Sequence, residues 1–310
     1  MRIAVVGPGG LGCLLASLFF EAGEKVFLVD YRPERVALFK AKGVHLKSLT
    51  GDHRIIPVPW VLAEETGPCH LTIMTVKAHQ TEAAARALPR LMAAGGLALT
   101  LQNGLANLEL MAQEVGFERL LAGVAFLGVT RRDEGRIIHA GPGPIYIGAP
   151  PGSQVSPAEI SGVVDLFSRA GLECQAHPHI QVLLWEKLLV NVGINPLTAL
   201  LRVPNGALAK LPEAWELAVA AAAEAQAVAR AAGIEVTGDP QTRLRQVCTA
   251  TAPNHSSMLQ DVLAGRPTEI EALNAQVVNR GKTLGVPTPV NSLLTQLVRS
   301  LARSAGLRVV

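Results

Sequence analysis

The chain has 310 residues, of which 49% are hydrophobic and 17% charged, and its formal net charge is +3. That length accommodates two domains with separate cores. The small net charge argues against a nucleic-acid binder, and an aromatic content of 4% leaves no stacking platform for bases.

Cys13, Cys69, Cys174 and Cys248 are scattered, with no CxxC and no histidine companions at metal spacing. They read as reduced core residues of a cytoplasmic protein. No HExxH is present, and His177 and His179 flank Pro178 in what reads as a linker, so no metal site is expected. No basic segment precedes an apolar run at the N-terminus, which predicts no signal peptide. The longest apolar region, Leu217 to Ala232, is interrupted by Glu224, Gln226 and Arg230. It reads as a helix of a soluble protein, so no membrane association is expected.

In chain order, "RIAVVG" (2–7) is a short β-rich run, followed by a helical pattern from Leu11 to Ala22. "KVFLVD" (25–30) is a second strand, and a helix runs from Pro33 to Ala41. "LTIMTV" (71–76) and "GLALTL" (96–101) are buried-type strands with the helix-like "TEAAARALPRLM" between them. Strands alternating with helices predict a parallel sheet covered on both faces. From 120 to 149, "LLAGVAFLGVT" and "RIIHAGPGPIYIGAP" read as strands joined by Gly/Pro turns in antiparallel pairs. A helix near Pro157–Ala170 and a strand "LECQAH" close this half. Beyond Pro178 only helices are predicted, over 181–201, 207–232, 240–251, 268–284 and 289–304. The fold class is therefore α/β: a dinucleotide-binding domain over 1–178 and an all-helical domain over 179–310. The final helices are apolar enough for a homodimer interface and equally for plain core.

The run Gly7-Pro8-Gly9-Gly10-Leu11-Gly12 sets glycines in G-x-G-x-x-G spacing between the first strand and the first helix. The first glycine permits the tight turn, the second lets a pyrophosphate approach the backbone, and the third lets helix and strand pack closely. The helix start offers free N–H groups to phosphates. Glycine-rich turns are common, but this strand–turn–helix context predicts dinucleotide binding. Asp30, ending the second strand, is placed to accept the adenosine ribose hydroxyls and repel a 2′-phosphate, which favours NADH. Arg32 and Arg35 follow, and either reach a 2′-phosphate or are solvated residues at a helix start.

"WEKLLVNVGINPLTALLRVPNG" (185–206) sets Lys187, Asn191 and Asn195 four residues apart on one helix face. Either they form the wet stripe of a surface helix or they line a polar cleft. A partly desolvated lysine there can give a proton and take it back, and its ammonium stabilises a developing alkoxide. Pro196 pushes Asn195 from helical geometry and predicts a kink. Asn205 either caps the next helix or reaches the site. Ser256 and Ser257 read as a helix cap, and Glu269 as a first-turn carboxylate favoured by the helix dipole. Asn103 in "LQNGLAN" and Lys77 in "TVKAHQ" end strands at the edge where open parallel sheets bind ligands. Singly, each is a loop residue; together they become ligand contacts.

"GPGGLG", "TVKA", "LQNG", the 185–206 segment and "NHSSMLQDVLAGRPTEIEALNAQVV" resemble the ketopantoate reductases (2-dehydropantoate 2-reductases) over nearly the whole chain. The resemblance implies a Rossmann-type domain followed by an all-helical one, with the active site between them. It implies NAD(P)H-dependent reduction of 2-dehydropantoate to (R)-pantoate for pantothenate and coenzyme A synthesis. Lys187 would be the general acid. Asn191, Asn195 and Ser257 would hold the substrate, with Asn205 and Asn254 nearby. Asn103 would touch cofactor and substrate, and Lys77 and Glu269 the cofactor or the lysine. Family members usually use NADPH and often carry an arginine just after the second strand. Here Asp30-Tyr31 stands at that point and Arg32 comes one later.

Two other readings stand beside this one. A related oxidoreductase of another small 2-oxo or 3-hydroxy acid also fits, because 3-hydroxyacid dehydrogenases likewise set an asparagine four residues after a lysine. A nucleotide-binding sensor without turnover would have no use for a proton donor.

Overall fold

The structure is a computed structural model that describes residues 1–304. Its contacts divide the chain into two units. One comprises 1–102 and 107–180; the other comprises the tetrapeptide 103–106 and the residues from 181 onward.

The strands of the first unit are β1 (Arg2–Val6), β2 (Lys25–Asp30), β3 (Val44–Lys47), β4 (His53–Ile56), β5 (Trp60–Leu62), β6 (Cys69–Met74), β7 (Met92–Thr100), β8 (Leu120–Ala125), β9 (Gly128–Asp133), β10 (Arg136–Gly141), β11 (Ile145–Gly148) and β12 (Cys174–Ala176). Its helices are α1 (Gly10–Glu21), α2 (Pro33–Lys40), α3 (Ala63–Thr66), α4 (Thr81–Ala85), α5 (Leu88–Leu91), α6 (Asn107–Val115) and α7 (Pro157–Arg169). Eight strands form one sheet in the order β12-β11-β8-β7-β6-β1-β2-β5. All its pairings are parallel except β11 with β8.

The strands read as continuous apolar runs because helices bury both faces of the sheet. Along β1 the side chains alternate: Ile3 and Val5 join one apolar cluster, Ala4 and Val6 the other. The first cluster takes Leu14, Leu15 and Phe19 of α1 and Leu166 and Phe167 of α7. The second takes Ala85, Leu88 and Leu91 of α4 and α5 and Met111 of α6. The register aligns Val6 with Val29 and Met74, and Met74 with Thr100, so these strands end at one edge. Strand order reverses between β1 and β6. That is the switch point where open α/β sheets bind ligands.

A second sheet has the order β4-β3-β10-β9. Its antiparallel pair β9–β10 lies where antiparallel strands were expected, but β3 and β4 were not expected. Its strands β3 and β4 are four residues long, and His53, Arg54 and Ile55 are exposed, so the apolar signal is weak. The expected helix over 81–92 is two short helices with Pro89 opening the second.

The second unit is all helical among the described residues: α8 (Ile180–Leu201), α9 (Asn205–Leu208), α10 (Pro212–Ala231), α11 (Pro240–Ala250), α12 (Ser257–Leu263), α13 (Asn274–Leu284) and α14 (Pro289–Arg303). The helix expected over 207–232 is broken before Pro212, which occupies a first-turn position where its missing N–H costs nothing. The helix expected over 268–284 begins only at Asn274, and residues 264–273 form turns and irregular backbone instead.

α8 is the axis of this unit. Trp185, Leu188, Leu189 and Val192 pack into one apolar cluster, and Ile194 and Leu197 into another. It keeps Pro196 inside its run and ends where Arg202 takes a left-handed φ of 56°. No described helix is long and apolar enough to cross a membrane.

Candidate active site

The nucleotide loop is built by close contact. Gly7 has a φ of 106°, a region L side chains rarely adopt. A Cβ on Gly12 would lie 2.0 Å from the Gly7 carbonyl oxygen and 2.5 Å from the Thr75 hydroxyl. Gly9 is different, because a Cβ there meets nothing within 4 Å. The space beside Gly9 is the cradle a pyrophosphate needs, and the loop fits a dinucleotide on that ground. Thr75 locks the turn from beneath, its hydroxyl lying 2.9 Å from both the Val6 and Gly7 carbonyl oxygens. The motif did not include Thr75, and its only signal was a hydroxyl at the end of a buried strand. Pro8 is buried and Gly10 and Leu11 are half-buried at the start of α1. Lys77 is half-buried just past the end of β6, where it precedes a 3-10 turn over Ala78–Gln80.

Asp30 is committed to the protein itself. Its side chain is fully buried. One oxygen accepts from the backbone N–H groups of Tyr31 and Arg32, at 2.8 and 3.2 Å. The other accepts from Arg35 Nε and, at 3.3 Å, from the Trp60 indole. Arg35 also reaches Glu134, at 3.0 Å. Arg32 is the exposed cation of this corner, its guanidinium 5.4 Å from the Tyr31 ring centroid.

In the second unit Lys187, Asn191 and Asn195 follow one another along α8. Lys187 and Asn191 are half-buried and Asn195 is buried. Among the described residues the Asn191 side chain has no hydrogen-bond partner. Burial pushes the Lys187 ammonium down from 10.5 to about 8, and the negative charge of Glu269 opposes that shift. Glu269 is buried and accepts from Asn103 Nδ2 at 3.5 Å, tying the 103–106 tetrapeptide into this unit. Glu269 lies in a turn five residues before α13, so the helix-dipole role expected for it does not hold. Its backbone carbonyl instead accepts from the N–H groups of Ala272 and Leu273.

Asn195 Nδ2 lies 3.5 Å from the hydroxyl of Ser257, which is exposed at the start of α12. Ser256, not Ser257, caps that helix, accepting from Leu259 N–H at 3.1 Å. Thr198 stands 2.8 Å from Ser256 and joins α8 to the cap. Asn205 Nδ2 donates to Thr251 Oγ1 at 2.9 Å, while its Oδ1 is buried and has no partner among the described residues. The Asn205 N–H donates to the backbone carbonyl of Asn254, whose residue is exposed. Among the described residues no group of side chains is arranged to hold a metal ion. The cysteines are buried, with burial pushing Cys13 and Cys174 up to about 12 and Cys248 to about 11, so none is a ready nucleophile.

The family described as ketopantoate reductase PanE/ApbA matches residues 3–152, and its C-terminal domain matches residues 179–302. The chain belongs to the ketopantoate reductase family. It is 36% identical to a 2-dehydropantoate 2-reductase of Halobacterium salinarum, over 98% of this chain and 99% of that one. A 2-dehydropantoate 2-reductase of Archaeoglobus fulgidus is 34% identical, over 97% of both. Among solved structures, the 2-dehydropantoate 2-reductase of Geobacter metallireducens superposes with a TM-score of 0.89 at 29% identity, covering 97% of this chain and 99% of that one. A D-mandelate dehydrogenase in ternary complex with NADH and anilino(oxo)acetate superposes with a TM-score of 0.90 at 25% identity, covering 99% of this chain and all of that one.

The two loop glycines should separate on substitution. Gly12→Ala drives a methyl into backbone and should cost about 1–3 kcal/mol, read as a lower Tm. Gly9→Ala enters open space and should leave Tm unchanged while weakening dinucleotide binding in a fluorescence titration. A normal dinucleotide Kd in Gly9→Ala would remove the pyrophosphate from that face of the loop.

The lowered Lys187 value also sets a pH dependence. Between pH 8 and 10.5 the unfolded lysine binds a proton that the folded one has lost, so its contribution to stability rises with pH in that window. Below pH 8 the folded chain bears the full cost of a buried ammonium. Lys187→Met should therefore raise Tm at pH 7, with the gain shrinking above pH 8. A Tm difference that does not change with pH would contradict the burial of the amine.

Proposed function

We propose that this chain reduces 2-dehydropantoate to (R)-pantoate with a reduced nicotinamide dinucleotide, Lys187 supplying the proton. The observation that carries the reading is an amine brought down to about 8 by burial, on a helix face shared with two carboxamides. When bound, the dinucleotide supplies a hydride to the C2 carbonyl carbon of the oxo acid. The Lys187 ammonium gives its proton to the carbonyl oxygen as negative charge grows there, leaving a neutral amine. A value near 8 keeps the acid form populated at neutral pH and its reprotonation from solvent rapid. Glu269 supports the ammonium form against desolvation.

Asn191, Asn195 and Ser257 offer the N–H and O–H donors that a carboxylate and the substrate hydroxyl require. Asn205, with its unpartnered Oδ1, and Asn254 extend the same polar lining. We assign Asn103, held by Glu269, to contacts with both ligands, and Lys77 and the 7–12 loop to the dinucleotide.

For the dinucleotide we favour NADPH. Every Asp30 oxygen is already accepting from Arg35, Trp60 or backbone N–H groups, which leaves none for ribose hydroxyls. Arg32, exposed and without a carboxylate partner among the described residues, suits a 2′-phosphate. A second reading, reduction of a bulkier 2-oxo acid, is favoured by the likeness to the D-mandelate dehydrogenase. Four buried thiols suit a cytoplasmic enzyme.

Steady-state rates with a panel of 2-oxo acids decide between substrates. The highest kcat/KM should fall on 2-dehydropantoate, and a clear preference for an aryl oxo acid would favour the second reading. Lys187→Ala should lower kcat by about two to four orders of magnitude and spare NADPH binding; near-normal turnover would refute the assigned role. Arg32→Ala should lower kcat/KM for NADPH roughly tenfold, by loss of a charged contact, and leave NADH little changed. Equal effects on the two cofactors would show that Arg32 does not meet the 2′-phosphate.

A further inference from the structure

A proline inside a helix leaves one carbonyl without its donor, that of the residue four earlier. In α8 the proline is Pro196 and the open carbonyl is that of Val192. Val192 sits between Asn191 and Asn195, so the carbonyl without a helical donor falls within the polar row. The carbonyl is not left open. Asn274 Nδ2, from the first residue of α13, donates to it at 3.0 Å.

Asn274 is wholly buried and is itself held. Its Nδ2 also donates to Asn291 Oδ1 at 3.0 Å. Asn291, wholly buried on α14, donates to the Ala221 carbonyl at 2.9 Å and to Glu224 Oε2 at 2.7 Å. Glu224 also accepts the backbone N–H groups of Val290 and Asn291, at 2.8 and 2.9 Å. The chain of bonds thus runs from a carboxylate on α10, through α14 and α13, to the Val192 carbonyl in α8. A buried amide without apolar function is expensive unless it is needed where it stands.

We propose that Asn274 is a positioning residue for the proton donor and the substrate amides: by taking the carbonyl that Pro196 leaves open, it fixes how α8 turns between Lys187–Asn191 and Asn195. Among the described residues Asn274 makes no hydrogen bond to Lys187, Asn191 or Asn195. It acts through the backbone at Val192. The inference rests on the reductase reading for its kinetic consequence, but not for the contact itself.

The test pairs Asn274→Ala with Pro196→Ala, which restores an N–H for the Val192 carbonyl within α8. In the native background Asn274→Ala should lower kcat/KM for 2-dehydropantoate about 10- to 100-fold, the scale of a misplaced catalytic group. The Kd for NADPH, read by fluorescence, should stay within about twofold, since the glycine loop belongs to the other unit. In the Pro196→Ala background the same substitution should cost less than about threefold, because the carbonyl no longer needs the amide. An equal loss in both backgrounds, or no loss in the native one, would overturn the proposal. If Asn274→Ala does not fold, Asn274→Ser keeps one donor and should give a smaller loss that Pro196→Ala again relieves. Should the native chain not reduce 2-dehydropantoate, the reductase reading fails by itself. The titration of Lys187, followed by NMR of 13C-methylated lysines and assigned with Lys187→Arg, then carries the test. Asn274→Ala should shift that titration and Pro196→Ala should reverse the shift, whereas an unmoved titration would overturn the proposal.

Discussion

Everything chemical in the helical unit depends on keeping one amine partly out of water without neutralising it for good. Burial alone would drive Lys187 toward a permanently neutral base, and a tight ion pair alone would hold it permanently charged. The structure sets the two against each other. Desolvation along α8 is the larger effect, and the buried carboxylate of Glu269 is the smaller, opposing one. Glu269 performs that role from a turn, so its position is fixed by hydrogen bonds to its own backbone and to Asn103 rather than by a helix. The cost falls on stability, as is usual where a site holds groups that the core would reject.

The two units place their groups by different physics. In the first, position comes from contact too close for any side chain: the Gly7–Gly12 crossing, with Thr75 holding the turn from beneath, leaves open space where a Gly9 side chain would stand. Arg35 and Asp30 add a charged brace that ends β2, and Trp60 closes it with its indole N–H. In the second unit, position comes from apolar packing on several sides of α8, with a polar bond from Asn274 where the Val192 carbonyl would otherwise be stranded.

Legibility in the sequence follows the range of the interactions. The β1–loop–α1 unit was readable because turn, phosphate cradle and helix start lie within six residues. The row Lys187, Asn191, Asn195 was readable because helical period alone puts those residues on one face. The protein partners of Asp30 were not readable, because Trp60 and Arg35, with Glu134 behind it, are brought in by tertiary structure. Glu269 was misjudged for a local reason: an apolar-periodic stretch after Thr268 resembles a helix, yet the chain makes turns up to Leu273. Strands β3 and β4 escaped because strands of four residues with exposed polar positions carry little signal. The attachment of 103–106 to the helical unit spans a sequence separation of 166 residues, which no local pattern encodes.

The identity of residue 274 is constrained by direction as well as by size. Glu224 can only accept, so the Asn291 amide must turn its nitrogen toward it and its oxygen away. That oxygen then calls for a donor, which orients the Asn274 amide with its nitrogen inward. The same nitrogen carries the second hydrogen that reaches Val192. A flipped amide at 274 would set two oxygens against each other at Val192 and again at Asn291, and an aspartate would add a buried charge to both clashes. The carboxylate on α10 thus fixes the sense of every bond up to the Val192 carbonyl in α8. A proline that would ordinarily cost a helix about 3 kcal/mol is tolerated there because its stranded carbonyl has one donor, aimed in one direction only.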